Sequence, residues 1–177
     1  MIDTEQFRAL ARPTSLHLDG EEVSAYTREA EDGKIIPAIG YEVYKYVSGE
    51  GGELPSALAD SFDKAVFLDG GEYTETSSCD GKKALKYCNG LRKALAYYVW
   101  AKMLRSDGSI ISRAGAMRHR DDYADHVDDS KLRQYNDASG MADRYLAEAV
   151  SYLKANTKDN TVRPLRNTRA RIKAIGE

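Results

Sequence analysis

Apolar residues concentrate in one segment near the middle of the chain, Leu91–Leu104 (LRKALAYYVWAKML). Within it, Ala94–Ala101 is an unbroken run of apolar or aromatic residues, and apolar side chains recur at helical spacing on two faces. A helix that is apolar on two faces must be covered on both sides. Turn signals, Asn89-Gly90 and Asp107-Gly108, flank the segment. The pattern therefore predicts a central buried helix, with Trp100 as a large buried ring.

Helices are also predicted before this segment, from apolar residues that recur at helical spacing. A short one covers Thr4–Leu10. The next follows a cap at Asp19 and ends where Asp32-Gly33 interrupts the pattern. A further helical stretch begins near Pro37, and another covers Ser56–Phe67.

The remaining pattern predicts two β-hairpins and one long helix. The hairpins fall within Glu72–Cys88 and Ser109–Arg120. Ser130 is predicted to cap a helix over Lys131–Ala155, in which Gly140 would allow another helix to approach closely. The predicted fold is mainly α: a helical bundle of four to five helices with one or two small β-hairpins, over residues 1–156, and an extended basic C-terminal arm, over residues 157–177.

Composition places the chain among ordinary globular proteins. It has 177 residues, of which 42% are hydrophobic and 31% charged, and its net charge is −2. The charge is uneven, because Asp121–Asp129 holds five Asp whereas the chain from Lys158 onwards holds six Lys or Arg and two acids. Cys79 and Cys88 form no recognisable disulfide framework, so both are predicted to be free thiols in a reducing cytoplasm. No signal peptide or membrane-spanning segment is expected.

No catalytic motif for nucleotides, metals or nucleophilic serine is found in the sequence. The one cluster with metal-ligand chemistry combines His119 and His126 with three neighbouring aspartates, Asp121, Asp122 and Asp125. A solvated acidic loop is the favoured interpretation, with a partner-binding acidic patch and a metal site as alternatives. We therefore expect no enzyme, no catalytic residue, no metal and no cofactor.

Two features point towards protein partners. The chain has twelve Tyr residues, which suit either protein interfaces or half-buried core positions. The C-terminal arm combines cations with apolar side chains that a purely electrostatic tail would not need, and its candidate partner-binding residues are Arg163, Leu165, Arg166, Arg169, Arg171, Ile172 and Lys173. Three interpretations remain open: a disordered tail, an arm that docks on a partner or a neighbouring subunit, and a nucleic-acid contact.

Three motifs in order resemble a family of phage head-to-tail connector proteins from tailed phages that infect Bacteroidota, including the crAss-like type. Tyr26–Val47 (YTREAEDGKIIPAIGYEVYKYV) is similar to the first helices of that family. Phe67–Tyr73 (FLDGGEY) resembles its "L-x-G-G-x-Y" motif, and Asn89–Leu104 resembles "G-L-x-x-A-L-A-Y-Y-x-x-A-R-x-L". Two departures are visible: Ser112 stands where the family has Thr, and the basic arm has no counterpart.

The resemblance implies a structural protein of the virion neck, assembled in the host cytoplasm. Such proteins form a ring, expected to be a dodecamer, beneath the portal protein. The ring extends the channel through which genomic double-stranded DNA passes without sequence-specific binding, and it receives the next neck or tail component. No catalysis and no membrane contact are implied. The alternative function is a small helical nucleic-acid-binding protein that uses its basic arm.

Overall fold

A computed structural model describes residues 1–12, 19–49, 53–76, 83–106, 109–112, 115–118 and 128–158. In chain order its elements are α1 (Thr4–Leu10), α2 (Gly20–Ala30), a π-helical turn (Glu31–Ile35), α3 (Ile36–Ile39), α4 (Tyr41–Ser48), α5 (Lys64–Asp69), β1 (Gly71–Thr76), β2 (Lys83–Cys88), α6 (Leu91–Ser106), β3 (Ser109–Ser112), β4 (Gly115–Arg118) and α7 (Asp128–Ala155). The predicted mainly-α fold with small β-hairpins is confirmed. No helix in these ranges is long and apolar enough to cross a membrane.

Helix α6 is the centre of the bundle, as its sequence predicts. It packs along α7, and side chains on two of its faces, including Leu95, Ala96 and Val99, are fully buried. The prediction for Trp100 is wrong, because this residue is half-buried at the rim of the core. The guanidinium carbon of Arg12 lies 5.1 Å from the centroid of its ring. The half-buried side chain of Arg12 therefore covers this side of α6.

Helix α1 covers Thr4–Leu10, as the sequence predicts, whereas α2 begins where it is predicted but does not end there. Asp19 caps α2 by accepting a hydrogen bond from the backbone N–H of Glu21 at 2.9 Å. The predicted break at Asp32-Gly33 is wrong, because the backbone widens there into the π-helical turn and continues into α3. The break comes instead at Gly40, whose φ of +84° ends α3 and starts α4.

The helix predicted over Ser56–Phe67 is also wrong, since only its last residues fall in α5. The backbone N–H of Ala59 donates to the carbonyl of Asn156 at 2.7 Å, and Leu58 forms a β-bridge with Thr157. The backbone N–H and C=O groups that would form hydrogen bonds within a helix here bind instead to the end of α7. Asp63 then caps α5 through a hydrogen bond from the N–H of Ala65 at 2.8 Å.

Both predicted hairpins are present as separate two-stranded antiparallel sheets, β1–β2 and β3–β4. The first is entered and left through two glycines, Gly70 and Gly90, with φ values of +97° and +88°. Their backbones cross closely, because a Cβ on Gly90 would lie 2.6 Å from the carbonyl oxygen of Leu68. The crossing joins the α5–β1 turn to the β2–α6 turn and fixes where α6 begins.

Helix α7 begins at Asp128, so Ser130 lies inside the helix and is not its cap. The close helix approach predicted at Gly140 is wrong, because Gly140 is exposed and a Cβ there would have no neighbour within 4 Å. After α7, the N–H of Lys158 donates to the carbonyl of Ala57 at 2.8 Å. The rest of the predicted arm lies outside the described residues, and the boundary at residue 156 stays a prediction.

Candidate functional site

A half-open cleft of about 460 Å³ lies where α2, the π-helical turn, α6 and α7 meet. The turn contributes Gly33 and Lys34 to its wall, and α7 contributes Tyr135 and Ser139. Ala101, which is buried on α6, also lines it. π-Helical turns appear mostly as single-turn bulges inside α-helices, and they are frequent at functional sites. This cleft is therefore the first candidate for a binding site in the described part of the chain.

A buried carboxylate anchors the π-helical turn. Glu31 is 6% exposed, and its two oxygens accept from the Met1 amino group at 2.7 Å and from the Tyr44 hydroxyl at 2.9 Å. A buried carboxylate is tolerated when it is paired and hydrogen-bonded in this way. Because Glu31 is held on the inside, the exposed Gly33 and Lys34 lie on the side of the turn that faces the cleft.

Positive charge dominates the cleft. Lys34, Lys102 and Arg105 line it together with a single carboxylate, Glu29. Lys102 forms an ion pair with Glu29, which neutralises one cation. The other two lie over aromatic rings: the ammonium of Lys34 is 5.6 Å from the ring centroid of Tyr98, and the guanidinium of Arg105 is near the ring of Tyr135. The arrangement favours an anionic ligand.

Tyr98 forms the inner wall of the cleft. Its ring is 4% exposed, and its hydroxyl donates a hydrogen bond to the carboxylate of Asp143 on α7. Burial, together with this hydrogen bond, raises the pKa of Tyr98 above its ordinary value. The hydroxyl therefore stays protonated over the physiological pH range, and it ties α6 to α7 without serving as a proton-transfer group.

The described residues show no catalytic arrangement in the cleft. They contain no group of three or more His, Cys, Asp or Glu residues that could hold a metal ion. Cys88 is a free thiol, but it is fully buried, and burial raises its pKa, so the reactive thiolate is disfavoured. What the cleft offers chemically is recognition through cations, hydroxyl groups and aromatic rings.

A second candidate surface is the outer face of the first hairpin. Leu85 and Tyr87 lie two residues apart on β2, so they share one face, and they are 70% and 59% exposed. The hairpin packs on α7 through Tyr73, whose ring centroid is 4.9 Å from that of Tyr152. Another exposed apolar residue, Leu132, lies twenty residues earlier on α7, or about 30 Å along the helix axis.

The sequence profile of a family of unknown function (DUF6712) matches residues 54–167. The chain belongs to this family. No curated protein and no solved structure matches the chain. The match to DUF6712 includes the glycine crossing, α6 and α7, but not α2 or the π-helical turn. One wall of the cleft therefore lies outside the segment that defines the family here.

The candidate site residues from the sequence lie outside the part of the chain that the structure describes. These are the arm candidates Arg163, Leu165, Arg166, Arg169, Arg171, Ile172 and Lys173. They are also the histidines and aspartates His119, His126, Asp121, Asp122 and Asp125. The docking arm and the solvated acidic loop therefore remain predictions, with the acidic patch and the metal site as alternatives to the loop.

Sequence reasoning missed the cleft because its charged residues are far apart in the chain. Glu29 and Lys102, for example, are 73 residues apart and meet only because α2 packs on α6. The signal that was available is Asp32-Gly33 inside a helical pattern with cations on both sides. This Asp32-Gly33 pair predicts a helix end, whereas the structure has a π-helical turn at that position.

Proposed function

We propose that this protein is a structural component of a tailed-phage virion, forming a ring at the portal–tail junction that extends the DNA channel and docks the next neck or tail component. The likeness of its three ordered motifs to head-to-tail connector proteins motivates the proposal. Two of these motifs coincide with the glycine crossing and α6. The likeness therefore concerns the residues that build the core and not a catalytic site.

The observation that carries the proposal is a pair of exposed apolar positions near the two ends of α7. One is the hairpin face formed by Leu85 and Tyr87, and the other is the side chain of Leu132, which is 60% exposed. A closed ring needs two different surfaces on each subunit, because every interface is heterologous, whereas a symmetric dimer would need only one. Leu132 lies about 30 Å along α7 from Tyr152, on which the hairpin packs, so the two positions are candidates for the two sides of such an interface.

The direct test is imaging of the assembled particle with this chain labelled. We expect the label in a ring between the portal protein and the tail, and a label at any other position would refute the proposal. Truncation after Lys158 keeps the β-bridge of Thr157 and the hydrogen bond from Lys158 to Ala57. It is expected to abolish incorporation into particles while leaving the unfolding of the isolated chain almost unchanged. If the truncated chain unfolds markedly earlier, the segment after Lys158 belongs to its own subunit's fold.

Three substitutions test the interfaces. Leu85→Glu and Leu132→Glu each place a charge in one apolar surface, and we expect each to stop ring closure in particles. Ala25→Glu is the matched control, because Ala25 is exposed on α2, away from both surfaces. Normal particles from Leu85→Glu and Leu132→Glu would contradict the assigned surfaces. DNA binding that falls steeply with salt and disappears with the arm would favour the nucleic-acid-binding alternative.

A further inference from the structure

Two of the three cations in the cleft are not neutralised by any carboxylate among the described residues. Lys34 and Arg105 are both exposed, and each lies over a tyrosine ring, with cation-to-centroid distances of 5.6 and 5.9 Å. A cation–π contact of an exposed side chain orients the cation but leaves its charge in place. The two side chains are thus oriented at the wall of the cleft, with their charges available to a ligand.

The same contacts argue against a nucleic-acid ligand. Single-stranded nucleic acid binds to aromatic residues by stacking bases on exposed ring faces. Here the ring of Tyr98 is almost fully buried, and Lys34 and Arg105 already lie over the rings of Tyr98 and Tyr135. The described residues supply three cations to the cleft, one of them paired with Glu29, whereas a groove that tracks a nucleic-acid backbone needs a continuous stripe of positive charge.

We propose that this cleft binds an acidic peptide segment of a partner protein, with one carboxylate on Lys34 and a second on Arg105. A guanidinium and an ammonium group both form charge-assisted hydrogen bonds with carboxylates. The apolar wall at Ala101 and the hydroxyl of Ser139 suit the rest of a peptide. The inference does not depend on the ring proposal, since it requires only a partner that carries such a segment.

The ion pair between Lys102 and Glu29 makes the proposal sharper. Glu29 is exposed, and its carboxylate forms an ion pair with Lys102, the third cation of the cleft. A bound acidic peptide would lie beside this carboxylate and be repelled by it. Replacing Glu29 by Gln removes the repulsion and frees Lys102, so the substitution should tighten binding. A purely structural role of these residues predicts no such gain.

The experiment uses the full chain and a fluorescein-labelled peptide, Asp-Asp-Tyr-Asp-Asp, with Asn-Asn-Tyr-Asn-Asn as the matched peptide. Fluorescence anisotropy at low salt should show binding of the acidic peptide only. Lys34→Gln combined with Arg105→Gln should weaken it at least about fivefold, and Glu29→Gln should strengthen it severalfold. Lys45→Gln is the control, because Lys45 is exposed on α4 and does not line the cleft.

Each contrary outcome would overturn the proposal. These are no binding of the acidic peptide at low salt, equal weakening by Lys45→Gln, and unchanged affinity in the Lys34 and Arg105 double variant. A single-stranded DNA oligonucleotide that binds more tightly than the peptide, and depends on the same two cations, would show a nucleic-acid surface instead. All four positions are exposed, so thermal unfolding of every variant should match that of the parent.

Discussion

One added methyl group should destabilise the fold at Gly90, whose backbone crosses that of Gly70, and should stabilise it at Gly140, which is exposed on α7. In Gly90→Ala, the new Cβ would lie 2.6 Å from the carbonyl oxygen of Leu68 and 2.7 Å from the backbone nitrogen of Gly70. These are backbone atoms, which cannot rotate away as the end of a flexible side chain can. The substitution also forces an L residue to adopt a φ of +88°.

The magnitude follows from these two terms. The left-handed conformation costs an L residue about 1–2 kcal/mol, and overpacking a close contact costs about 1–3 kcal/mol. We expect the free energy of unfolding to fall by about 2–5 kcal/mol. For a chain of this length, each kcal/mol corresponds to about 2–4 °C in Tm. Gly90→Ala should therefore lower Tm by about 4–20 °C.

Gly140→Ala is the control, since it adds the same atoms in the middle of α7. Gly140 is exposed, its φ is not positive, and an added Cβ would point into open space. Ala is favoured over Gly in a helix by about 0.5–1 kcal/mol, so Tm should rise by about 1–4 °C. Urea unfolding, followed by circular dichroism and by Trp fluorescence, measures both variants. Comparisons of this kind resolve differences in the free energy of unfolding of about 1 kcal/mol. If the free energies of unfolding of Gly90→Ala and the parent differ by less than about 1 kcal/mol, the close crossing is refuted.

Three further predictions concern single side chains. Trp100→Ala should cost about 1–3 kcal/mol, less than the about 3–5 kcal/mol of a fully buried ring; a larger loss in urea unfolding would mean that the indole is buried. The pKa of Tyr98 in the folded chain is raised above its ordinary value of 10.0, so its contribution to the free energy of unfolding is complete below pH 10.0 and is lost as the pH rises above 10.0. Tyr98→Phe should reduce this loss of stability at alkaline pH. A stability–pH profile that is the same in Tyr98→Phe and the parent would contradict the raised pKa. In a Cys79→Ser variant, the remaining thiol of Cys88 should react with Ellman's reagent only on unfolding, and rapid labelling of the folded chain would disprove its burial.

Local sequence signals predicted much of the helical framework. The cap at Asp19 and the turns around α6 act within a few residues, so the sequence alone locates them. The same reasoning failed over Ser56–Phe67, where Leu58 and Phe62 are buried at helical spacing but lie outside any helix. There, hydrogen bonds to the end of α7 decide the backbone, and a local pattern holds no information about them.

The candidate sites were harder to predict than the fold. The cleft forms because particular faces of α2, α6 and α7 pack against one another, and the sequence does not show which faces these are. It also needs the π-helical turn, whose sequence is typical of a helix end. The exposed pair Leu85 and Tyr87 is part of an ordinary strand pattern, and only the packing of the hairpin shows that this face is left uncovered.

The π-helical turn also sets how this part of the chain can change in length. Val23 and Ala30 are buried before the turn, and Ile35 and Ile39 are buried after it. A π-helical turn is a stretch of helix that holds one extra residue, so deleting one residue from it would let the backbone rewind as α-helix with the two buried sets in nearly the same relative orientation. Deleting one residue from the α-helical part of α2 would instead rotate the buried residues on the two sides of the deletion by about 100° relative to each other. The turn therefore holds a spare residue that the helix can lose without shifting its register.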